Sequence, residues 1–367
     1  MVGMVSNLRV LMITPLVDPR HDLLGFIPSW IKELAKRVVK LIVVTSKSNK
    51  QPFISSNVEI TEYGSSINKF VTLVNLSTIL ARYVPKVDIV FCHMYPEFVL
   101  WVSPYARFFR KPIIMWYTHP HVSHKLMLAH VLAKKIVTAS VGSFRISSKK
   151  VVIIGHGIDT DMFKQGMKKA NNKDMNTKII LAVGRISPIK DYVTLIKAAN
   201  ILINERKHRD LRFVVVGDVP MTSHLEYYKT LQRMIKEFSL SDFFKFVGRV
   251  PHDKIVEYYQ QCDVYVNMSP TGSFDKSVLE AMACEKPVIL CSKSFTKILH
   301  PYDKYCLFTY QDNIEMAEKI EKMVYDEKLR REVGEYLREQ VFQCCSLKIF
   351  VDNLVKIFEE ALRNDCI

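Results

Sequence analysis

The chain has 367 residues, 49% of them hydrophobic and 24% charged, which is the composition of a globular protein with room for about two domains. No apolar run reaches about 18 residues without a charge, so we expect no membrane-spanning helix. Arg9 interrupts the first apolar stretch, which argues against a signal peptide. The eight cysteines are scattered without a CxxC pair, a pattern that favours free thiols in the cytoplasm over disulfides or a zinc site.

The positive charge is concentrated in the first half of the chain. Residues 1–165 contain 21 Lys and Arg against 9 Asp and Glu, a net charge of +12, whereas the remaining residues contain 31 against 28. We therefore expect only the first part to meet an anionic partner. Nucleic acid is not expected as that partner, because the aromatic residues lie in apolar runs rather than among the basic residues.

Short β-branched runs alternate with longer amphipathic segments along the first part of the chain. The pattern predicts strands at residues 8–14, 40–45, 58–63, 88–93, 112–119, 135–139 and 151–155. It predicts helices between them at residues 26–38, 67–83, 97–108 and 123–133.

The same alternation resumes after a polar segment at 165–177, which predicts a linker. Strands are predicted at residues 179–184, 212–217, 244–248, 263–268, 287–290 and 305–308. Helices are predicted at residues 192–206, 224–238, 253–262, 276–284 and 313–326.

Strand–helix alternation of this kind indicates parallel sheets covered on both faces. The predicted fold is therefore α/β, with two Rossmann-like, doubly wound domains that face a cleft. The first is expected to span residues 1–165 and the second residues 166–345. In such sheets a ligand binds beyond the C-terminal ends of the strands.

A turn after the strand at 179–184 predicts an anion site. The strand runs into Gly184-Arg185, and Lys190 follows at the start of a helix. Two cations and free backbone N–H groups then share one crevice, which is what a diphosphate needs.

A carboxylate lies inside the apolar helix at 276–284. An unpaired charge at Glu280 would be costly there, so a role as hydrogen-bond acceptor for the vicinal hydroxyls of a sugar accounts for it. Together the two stretches predict a site for a sugar nucleotide.

Four segments in this order resemble the family 4 retaining glycosyltransferases, whose fold is called GT-B. They are GHGIDTDMF at 155–163, AVGRISPIKD at 182–191, FVGRV at 246–250 and SPTGSFDKSVLEAMACEKPVI at 269–289. The resemblance is close in the C-terminal half. In the N-terminal half it is looser and lies chiefly in WYTHP at 116–120 and the first strand with the Gly25 loop.

The resemblance implies a donor site in the second domain. Arg185 and Lys190, beside Gly184, match the positions that hold the diphosphate of the donor. Glu280 matches the second of two glutamates eight positions apart, and its implied role is to accept hydrogen bonds from the ribose hydroxyls. Val250 belongs to the same implied site.

The first glutamate of that pair is replaced here by Gly272. This region of the family holds the transferred sugar, partly through backbone N–H groups, so the implied contacts here are Ser273, Phe274, Asp275 and Lys276. Glycine and serine preserve backbone contacts, and Asp275 or Lys276 can supply a replacement side chain. The departure leaves the identity of the sugar open.

The resemblance also implies roles for the first domain. His119 matches the histidine that the family directs at the transferred sugar, where it orients and polarises rather than attacks. Gly25 marks the N-terminal loop on the acceptor side. The last helix, at about 347–362, is expected to return to the first domain, so residues 346–367 are assigned to that domain.

Two patterns allow a metal reading. His119, His121 and His124 lie close in sequence, but no cysteine- or carboxylate-rich segment accompanies them, and a core or surface histidine remains the alternative for His119. Asp159 and Asp161 imitate an Asp-x-Asp motif, although they fall in the segment that the family uses structurally. We expect no metal and no cofactor, because Arg185 and Lys190 neutralise the leaving diphosphate.

A membrane role is suggested by the predicted helix at 26–38. Apolar residues there precede a basic run, as in an amphipathic helix on an anionic lipid surface. The apolar residues are Leu23, Leu24, Phe26, Ile27 and Trp30, and the basic residues are Lys32, Lys36, Arg37 and Lys40. The alternative is an ordinary core stripe formed by Ile27, Ile31, Leu34 and Val38.

The sequence therefore predicts a cytoplasmic, retaining glycosyltransferase, with peripheral binding to the cytosolic membrane face as a further hypothesis. Its partners would be a nucleotide-sugar donor and a hydroxyl acceptor such as a glycan, a lipid-linked glycan or a glycolipid. A nucleotide-sugar epimerase of the same fold remains an alternative, although it needs acid/base carboxylates and no convincing pair is found. A non-catalytic binding module is a third reading.

Overall fold

The structure is a computed structural model that describes residues 6–49, 55–64, 69–166, 176–270 and 274–363. It divides into two compact units, which we call the first and second domains. The first comprises the chain up to Gly157 and the segment from Ser346 onward, and the second runs from Ile158 to Cys345. The boundary at 157/158 differs from the predicted 165/166. The reason is that Ile158 N donates to Cys345 O at 2.9 Å and Phe163 packs in the core of the second domain.

The described residues form twelve strands, and each ladder between them is parallel. In chain order they are β1 (Ser6–Val17), β2 (Val38–Ser48), β3 (Val58–Glu62), β4 (Ile89–His93), β5 (Ile113–Trp116), β6 (Lys135–Thr138), β7 (Val151–Ile153), β8 (Lys178–Val183), β9 (Leu211–Val216), β10 (Phe244–Gly248), β11 (Val264–Asn267) and β12 (Val288–Leu290).

The α-helices of the described residues cover the faces of these sheets. In chain order they are α1 (Ile27–Ala35), α2 (Lys69–Tyr83), α3 (Pro96–Phe108), α4 (His124–Leu132), α5 (Tyr192–Asn200), α6 (Leu225–Glu237), α7 (Ile255–Gln261), α8 (Lys276–Ala283), α9 (Thr296–Leu299), α10 (Asp303–Cys306), α11 (Asn313–Tyr325), α12 (Glu327–Cys344) and α13 (Leu347–Arg363). No helix in the described ranges is both long and apolar enough to cross a membrane.

The first domain is built on a seven-stranded sheet in the order β3-β2-β1-β4-β5-β6-β7. Its central strands are continuous apolar runs because helices cover both faces; all five residues of β4 are buried. The last helix, α13, completes one of these faces. The ring of Phe350 lies 4.2 Å from that of Trp30 and 5.0 Å from that of Trp116, measured between centroids.

The second domain has a five-stranded sheet in the order β10-β9-β8-β11-β12. The chain builds outward from β8 to β9 and β10, then crosses back to place β11 on the other side of β8. The direction of winding therefore reverses between β8 and β11. In open α/β sheets this reversal opens a crevice at the C-terminal strand ends, where ligands bind.

One predicted strand is wrong. Residues 305–308 do not form a strand: α10 ends at Cys306, and only Leu307 makes a bridge to Leu290 at the end of β12. Cys306 and Phe308 are nevertheless buried, so the apolar pattern predicted the burial of these side chains correctly but not their secondary structure. A run of four residues is too short for periodicity to separate a strand from a helical turn.

The helix α12 was not predicted. Its buried positions are Leu329, Val333, Leu337 and Val341, a single apolar residue in each turn. The other positions are largely charged, so the apolar stripe is narrower than that of a typical core-facing helix.

The helix α1 is part of the core. The alternative reading of Ile27, Ile31, Leu34 and Val38 as a core stripe is confirmed, because all four side chains are buried. Trp30 is buried as well and only 4% exposed, so it is not available to a lipid surface.

The basic residues near α1 are largely held by acidic partners. Lys36 and Arg37 both form ion pairs with Glu33, and Arg37 Nε also donates to Asp352 Oδ1 at 2.9 Å. Lys40 lies 3.4 Å from Glu59. Lys32 and Leu23 are exposed, so the membrane hypothesis stays a prediction for this region, without the exposed Trp30 ring on which it partly depended.

Candidate functional site

The candidate site lies in the second domain at the C-terminal ends of β8 and β11, which are neighbours in the sheet. The turn that contains Arg185 and Lys190 follows β8, and the segment that contains Asp275 leads from β11 into α8. The two stretches that the sequence singled out therefore meet at the reversal point of the sheet.

Two close approaches fix the turn after β8. Gly184 N donates to Val216 O at 2.9 Å, and the hydroxyl of the buried Tyr192 donates to Gly184 O at 2.8 Å. A Cβ atom at Gly217 would lie only 1.9 Å from Gly184 O, so the neighbouring strand end must also be glycine. The turn is thus held by the backbone of β9 and by α5.

Asp191 directs Lys190 into the site. It follows the short helical turn Pro188–Lys190 and has a left-handed backbone, with φ of 46°, before α5 begins. Its Oδ2 accepts a hydrogen bond from Thr194 Oγ1 at 2.7 Å, and burial raises the pKa of the carboxyl group although this bond opposes the rise. Left-handed non-glycine residues are costly and concentrate at functional sites.

Lys190 forms an ion pair with Asp275 across the gap between the two strand ends. Asn267, the last residue of β11, donates from Nδ2 to the same carboxylate oxygen at 2.9 Å. Arg185 is exposed and makes no ion pair with any residue in the described ranges. One of the two predicted cations is therefore already neutralised, and the other faces solvent.

Glu280 is buried inside α8 and surrounded by donors. Tyr259 donates its hydroxyl to Oε2 at 3.0 Å, His252 Nε2 lies 3.4 Å from Oε1, and Lys276 Nζ lies 3.5 Å from Oε1. Burial alone would raise the pKa of Glu280. The positive charge of Lys276 and the hydrogen bonds from His252 and Tyr259 outweigh burial, so the pKa is lowered and the buried carboxylate stays ionised.

Lys276 occupies the same crevice one helical turn before Glu280. Burial lowers its pKa to about 8, although the attraction of Glu280 opposes this effect. An ammonium group of this kind is partly deprotonated at mildly alkaline pH, unlike an ordinary surface lysine.

The remaining donor-site predictions lie around this centre. Phe274 stacks on Phe295 with ring centroids 4.6 Å apart, and Val250 is half-buried against the core of the second domain. Ser273 and Gly272 lie outside the described residues.

The two predicted residues of the first domain are placed differently. His119 follows the end of β5 and is exposed, and its Nδ1 accepts from His121 N at 3.1 Å. Gly25 is buried in the turn before α1, and its N–H donates to His21 O at 2.8 Å.

Neither of the two sequence patterns that allowed a metal site is part of a ligand cluster in the described residues. Over the described ranges, no group of three or more His, Cys, Asp or Glu side chains is arranged to hold a metal ion. Asp159 Oδ1 instead accepts from the backbone N–H groups of Asp161 and Met162, at 3.2 and 3.1 Å, and so closes a turn.

Sequence reasoning missed the residues that support the site, namely His252, Tyr259 and Asn267. Each of them is a single polar residue in its segment, and none belongs to a sequence motif that would have marked it. The one available signal is indirect: a carboxylate in an apolar helix requires buried donors, and His252 and Tyr259 lie in the preceding strand-to-helix segment.

Residues 150–340, more than half of the chain, match the model of the family described as glycosyl transferases group 1. The chain belongs to this family.

Curated relatives agree with this assignment over part of their length. A D-inositol 3-phosphate glycosyltransferase of Catenulispora acidiphila is 31% identical over 145 residues, which cover 38% of this chain and 34% of that protein. The N-acetyl-alpha-D-glucosaminyl L-malate synthase of Bacillus anthracis is 25% identical over 207 residues, which cover 55% and 51%. The chain thus spans about a third to a half of the length of these relatives.

Solved structures match the whole chain. Sucrose-phosphate synthase from Thermosynechococcus elongatus has a TM-score of 0.77 at 18% identity and covers 98% of this chain and 100% of its own. The Anabaena protein HepE, solved in complex with UDP and glucose, has a TM-score of 0.74 at 16% identity and covers 96% and 100%. These likenesses show the fold, and the predicted GT-B architecture of two parallel-sheet α/β domains is confirmed.

Replacement of Tyr259 by Phe should destabilise the protein by about 1–3 kcal/mol, because a buried, ionised carboxylate oxygen loses its donor. Urea unfolding followed by circular dichroism measures this free energy. Tyr258→Phe is the matched control on the same helix, since its half-buried hydroxyl has no bond to Glu280. Equal stability of the two variants would contradict the role of Tyr259.

Lys276 should make the unfolding free energy rise with pH. Its pKa in the folded protein is about 8, against an ordinary 10.5, so between these values the unfolded chain holds more protons. Relative to Lys276→Met, the wild type should gain up to about 1.4 kcal/mol per pH unit above pH ~8. Urea unfolding of both proteins at pH 7 and pH ~9.5 tests this, and parallel pH profiles would show that the lysine has an ordinary pKa.

Proposed function

We propose that this protein is a retaining glycosyltransferase that moves a sugar from a nucleotide-sugar donor to a hydroxyl group of an acceptor. One observation carries the proposal. The reversal point of the second sheet brings together Lys190, Arg185 and the buried carboxylate Glu280, and membership of the glycosyl transferases group 1 supports this reading.

The diphosphate of the donor is assigned to Arg185 and Lys190. Both cations follow β8 within one turn, and a doubly charged diphosphate at this edge would receive charge-assisted hydrogen bonds from each. The exposed Arg185 is available at once, whereas Lys190 has to exchange Asp275 for phosphate. These charges also stabilise the leaving diphosphate as the glycosidic bond breaks, so the proposal requires no metal ion.

The ribose is assigned to Glu280. The carboxylate is kept ionised by Lys276, His252 and Tyr259, and an ionised carboxylate has about four acceptor positions for vicinal hydroxyls. Its partners also fix its rotamer, which pre-organises the acceptor before the ligand arrives.

The transferred sugar is assigned to the segment from Phe274 to Lys276. In this proposal the side chain of Asp275 or of Lys276 takes over the role of the family's glutamate, whose position is Gly272 in this sequence. Asp275 is freed for a sugar hydroxyl when Lys190 turns to the diphosphate. This pairing gives the donor site a sugar contact that depends on diphosphate binding.

The chemical step follows from the charge distribution. The bond between the anomeric carbon and the diphosphate oxygen breaks, the acceptor oxygen bonds to the same face of that carbon, and a diphosphate oxygen takes the acceptor proton. His119 is assigned to orient and polarise the sugar. A cytoplasmic location is part of the proposal and is supported by the free thiols of the seven cysteines in the described residues.

The acceptor is proposed only as a hydroxyl compound, with a glycan, a lipid-linked glycan or a glycolipid as the candidates. The named relatives are described by quite different acceptors, an inositol phosphate in one and malate in another. The family model begins at residue 150 and leaves most of the first domain unmatched.

A panel of UDP-, GDP- and ADP-sugars, followed by NMR with the purified protein, tests the function. Slow hydrolysis that releases the sugar without epimerisation is expected from a transferase in the absence of its acceptor. Conversion of a donor to its epimer would establish the alternative of an epimerase. Absence of both binding and turnover across the panel would leave a binding module and overturn the proposal.

The diphosphate assignment predicts that removal of a cation weakens diphosphate binding and that removal of the acidic partner of Lys190 strengthens it. Lys190→Ala or Arg185→Ala should raise the Kd of the nucleoside diphosphate about tenfold or more, because a charged hydrogen bond is worth roughly 1.5–3 kcal/mol. Asp275→Asn should lower that Kd about threefold or more, because Lys190 no longer has a competing carboxylate.

Isothermal titration calorimetry with the diphosphate measures both effects. Lys236→Ala is the matched control, since it removes an exposed lysine near the C-terminal end of α6. Tighter binding in Asp275→Asn separates competition for Lys190 from simple structural damage, which would weaken binding. Unchanged affinity in both Lys190→Ala and Arg185→Ala would refute the assignment.

A further inference from the structure

We propose that α3 and α4 of the first domain form a docking surface for the headgroup region of an anionic lipid bilayer. We call it the α3–α4 surface and define it by the exposed side chains Trp101, Arg107, Phe108, Leu128, Val131 and Leu132. The inference concerns a surface on the first domain and is independent of the chemistry assigned to the second.

The α3–α4 surface is unusually apolar for a face exposed to water. Phe108 is 80% exposed, Val131 68% and Leu128 58%, whereas α4 buries only Leu126 and Ala129 of its nine residues. Scattered exposed apolar residues are normal, but a contiguous group on two adjacent helices marks an interaction site.

The two helices are joined along their length. Near their start, Lys125 Nζ of α4 lies 2.7 Å from Glu97 Oε1 of α3. Near their end, Pro104 and Arg107 of α3 line the same open groove as Val131 and Leu132 of α4. Trp101 and Phe108 lie one helical turn from Pro104, and Leu128 lies one turn from Val131 and Leu132, so helical spacing places these exposed apolar residues on the faces that border the groove.

The chain segment that forms this surface has a strong excess of positive charge. No Asp or Glu occurs in the sequence between Glu97 and Asp159, while nine Lys and Arg do. Glu97 itself is paired with Lys125, which also holds the pKa of Glu97 below its usual range despite partial burial. The other acidic group near the groove, Asp88, lies within electrostatic reach of Lys111 and is paired with Arg9 at 2.9 Å. Both acidic groups are thus neutralised by cations of the first domain.

Cations lie directly beside the apolar residues. Arg107, Lys111, Lys134 and Lys150 line the groove at the end of the two helices, which encloses about 560 Å³. Lys150 Nζ donates to three carbonyl oxygens at the end of α4, those of His130, Val131 and Ala133, and so fixes the groove. Arg107 and the neighbouring Arg110 are exposed, and neither forms an ion pair with a residue in the described ranges.

This combination selects a bilayer over a protein partner. An interfacial membrane surface requires apolar side chains that insert among the headgroups and a ring of Lys and Arg that remain at the level of the phosphates. Each basic residue near an anionic leaflet contributes about 1 kcal/mol, so the basic residues around the groove suffice to hold a peripheral protein. A predominantly basic rim would also repel a second copy of this chain.

Sedimentation with vesicles tests the proposal, using phosphatidylcholine alone and phosphatidylcholine mixed with phosphatidylglycerol. The full chain should bind the mixed vesicles, and binding should fall as NaCl rises, because the attraction is screened over about 8 Å at physiological salt. Arg107→Gln with Arg110→Gln and Lys111→Gln should lower the partition coefficient roughly a hundredfold. Phe108→Ser with Val131→Ser should also lower it, about tenfold or more.

Two sets of controls match these variants on the second domain. Lys229→Gln with Lys328→Gln and Arg331→Gln removes three exposed cations, and Leu225→Ser with Ile314→Ser removes two exposed apolar side chains. Neither set should change binding. Circular dichroism melting checks that every variant is folded, which is expected because the changed side chains are exposed, apart from the half-buried Lys111.

Binding that requires anionic lipid and is lost only in the α3–α4 variants supports the proposal. Equal recovery with neutral and anionic vesicles, no recovery with either, or equal losses in the second-domain controls would overturn it. Light scattering without lipid adds an independent outcome: a dimer that Phe108→Ser with Val131→Ser dissociates would assign the surface to a second copy of the chain instead.

Discussion

The second domain is organised around the requirement that a carboxylate in its interior stay ionised. Burial opposes the charge on Glu280, so three donors from different segments converge on it: Lys276 from the same helix, Tyr259 from α7 and His252 from the loop before it. This arrangement ties α7 and α8 together across β11. Removal of any one donor leaves the charge with less compensation, so we expect changes at the proposed ribose site to alter the stability of this domain as well.

The ion pair between Lys190 and Asp275 is the second electrostatic constraint on the site. It satisfies Lys190 at the strand ends that also carry Arg185 and Lys276, and Asn267 holds the carboxylate in position. A ligand phosphate has to exceed this internal partner in affinity. Under the proposed function we therefore expect the site to select ligands that carry enough negative charge to displace a carboxylate, a condition that neutral sugars alone do not meet.

Much of the fold was accessible from the sequence because parallel strands covered on both faces appear as continuous apolar runs; the runs around Val10, Phe91 and Val215 are typical examples. The failures have local causes. The apolar run at 305–308 is too short to show a period, and the apolar stripe of α12 is too narrow to be recognised as a core-facing helix.

For the site, Arg185, Lys190 and Glu280 lie in motifs that can be recognised from the sequence. Lys190 pairs with Asp275, 85 residues further along the chain, and only the tertiary fold brings the two side chains together. The membrane hypothesis was placed on α1 because composition does not show which side chains are exposed.

The chain enters and leaves the second domain at adjacent points, since Ile158 N and Cys345 O are 2.9 Å apart. On the other side of the junction, Gly157 packs so closely against Leu347 and Phe350 of α13 that a Cβ atom there would lie 2.9 Å from either ring or methyl group. In topological terms the second domain is an insertion into a continuous first domain. Direct ligation of Gly157 to Ser346 would therefore excise it with a short peptide link.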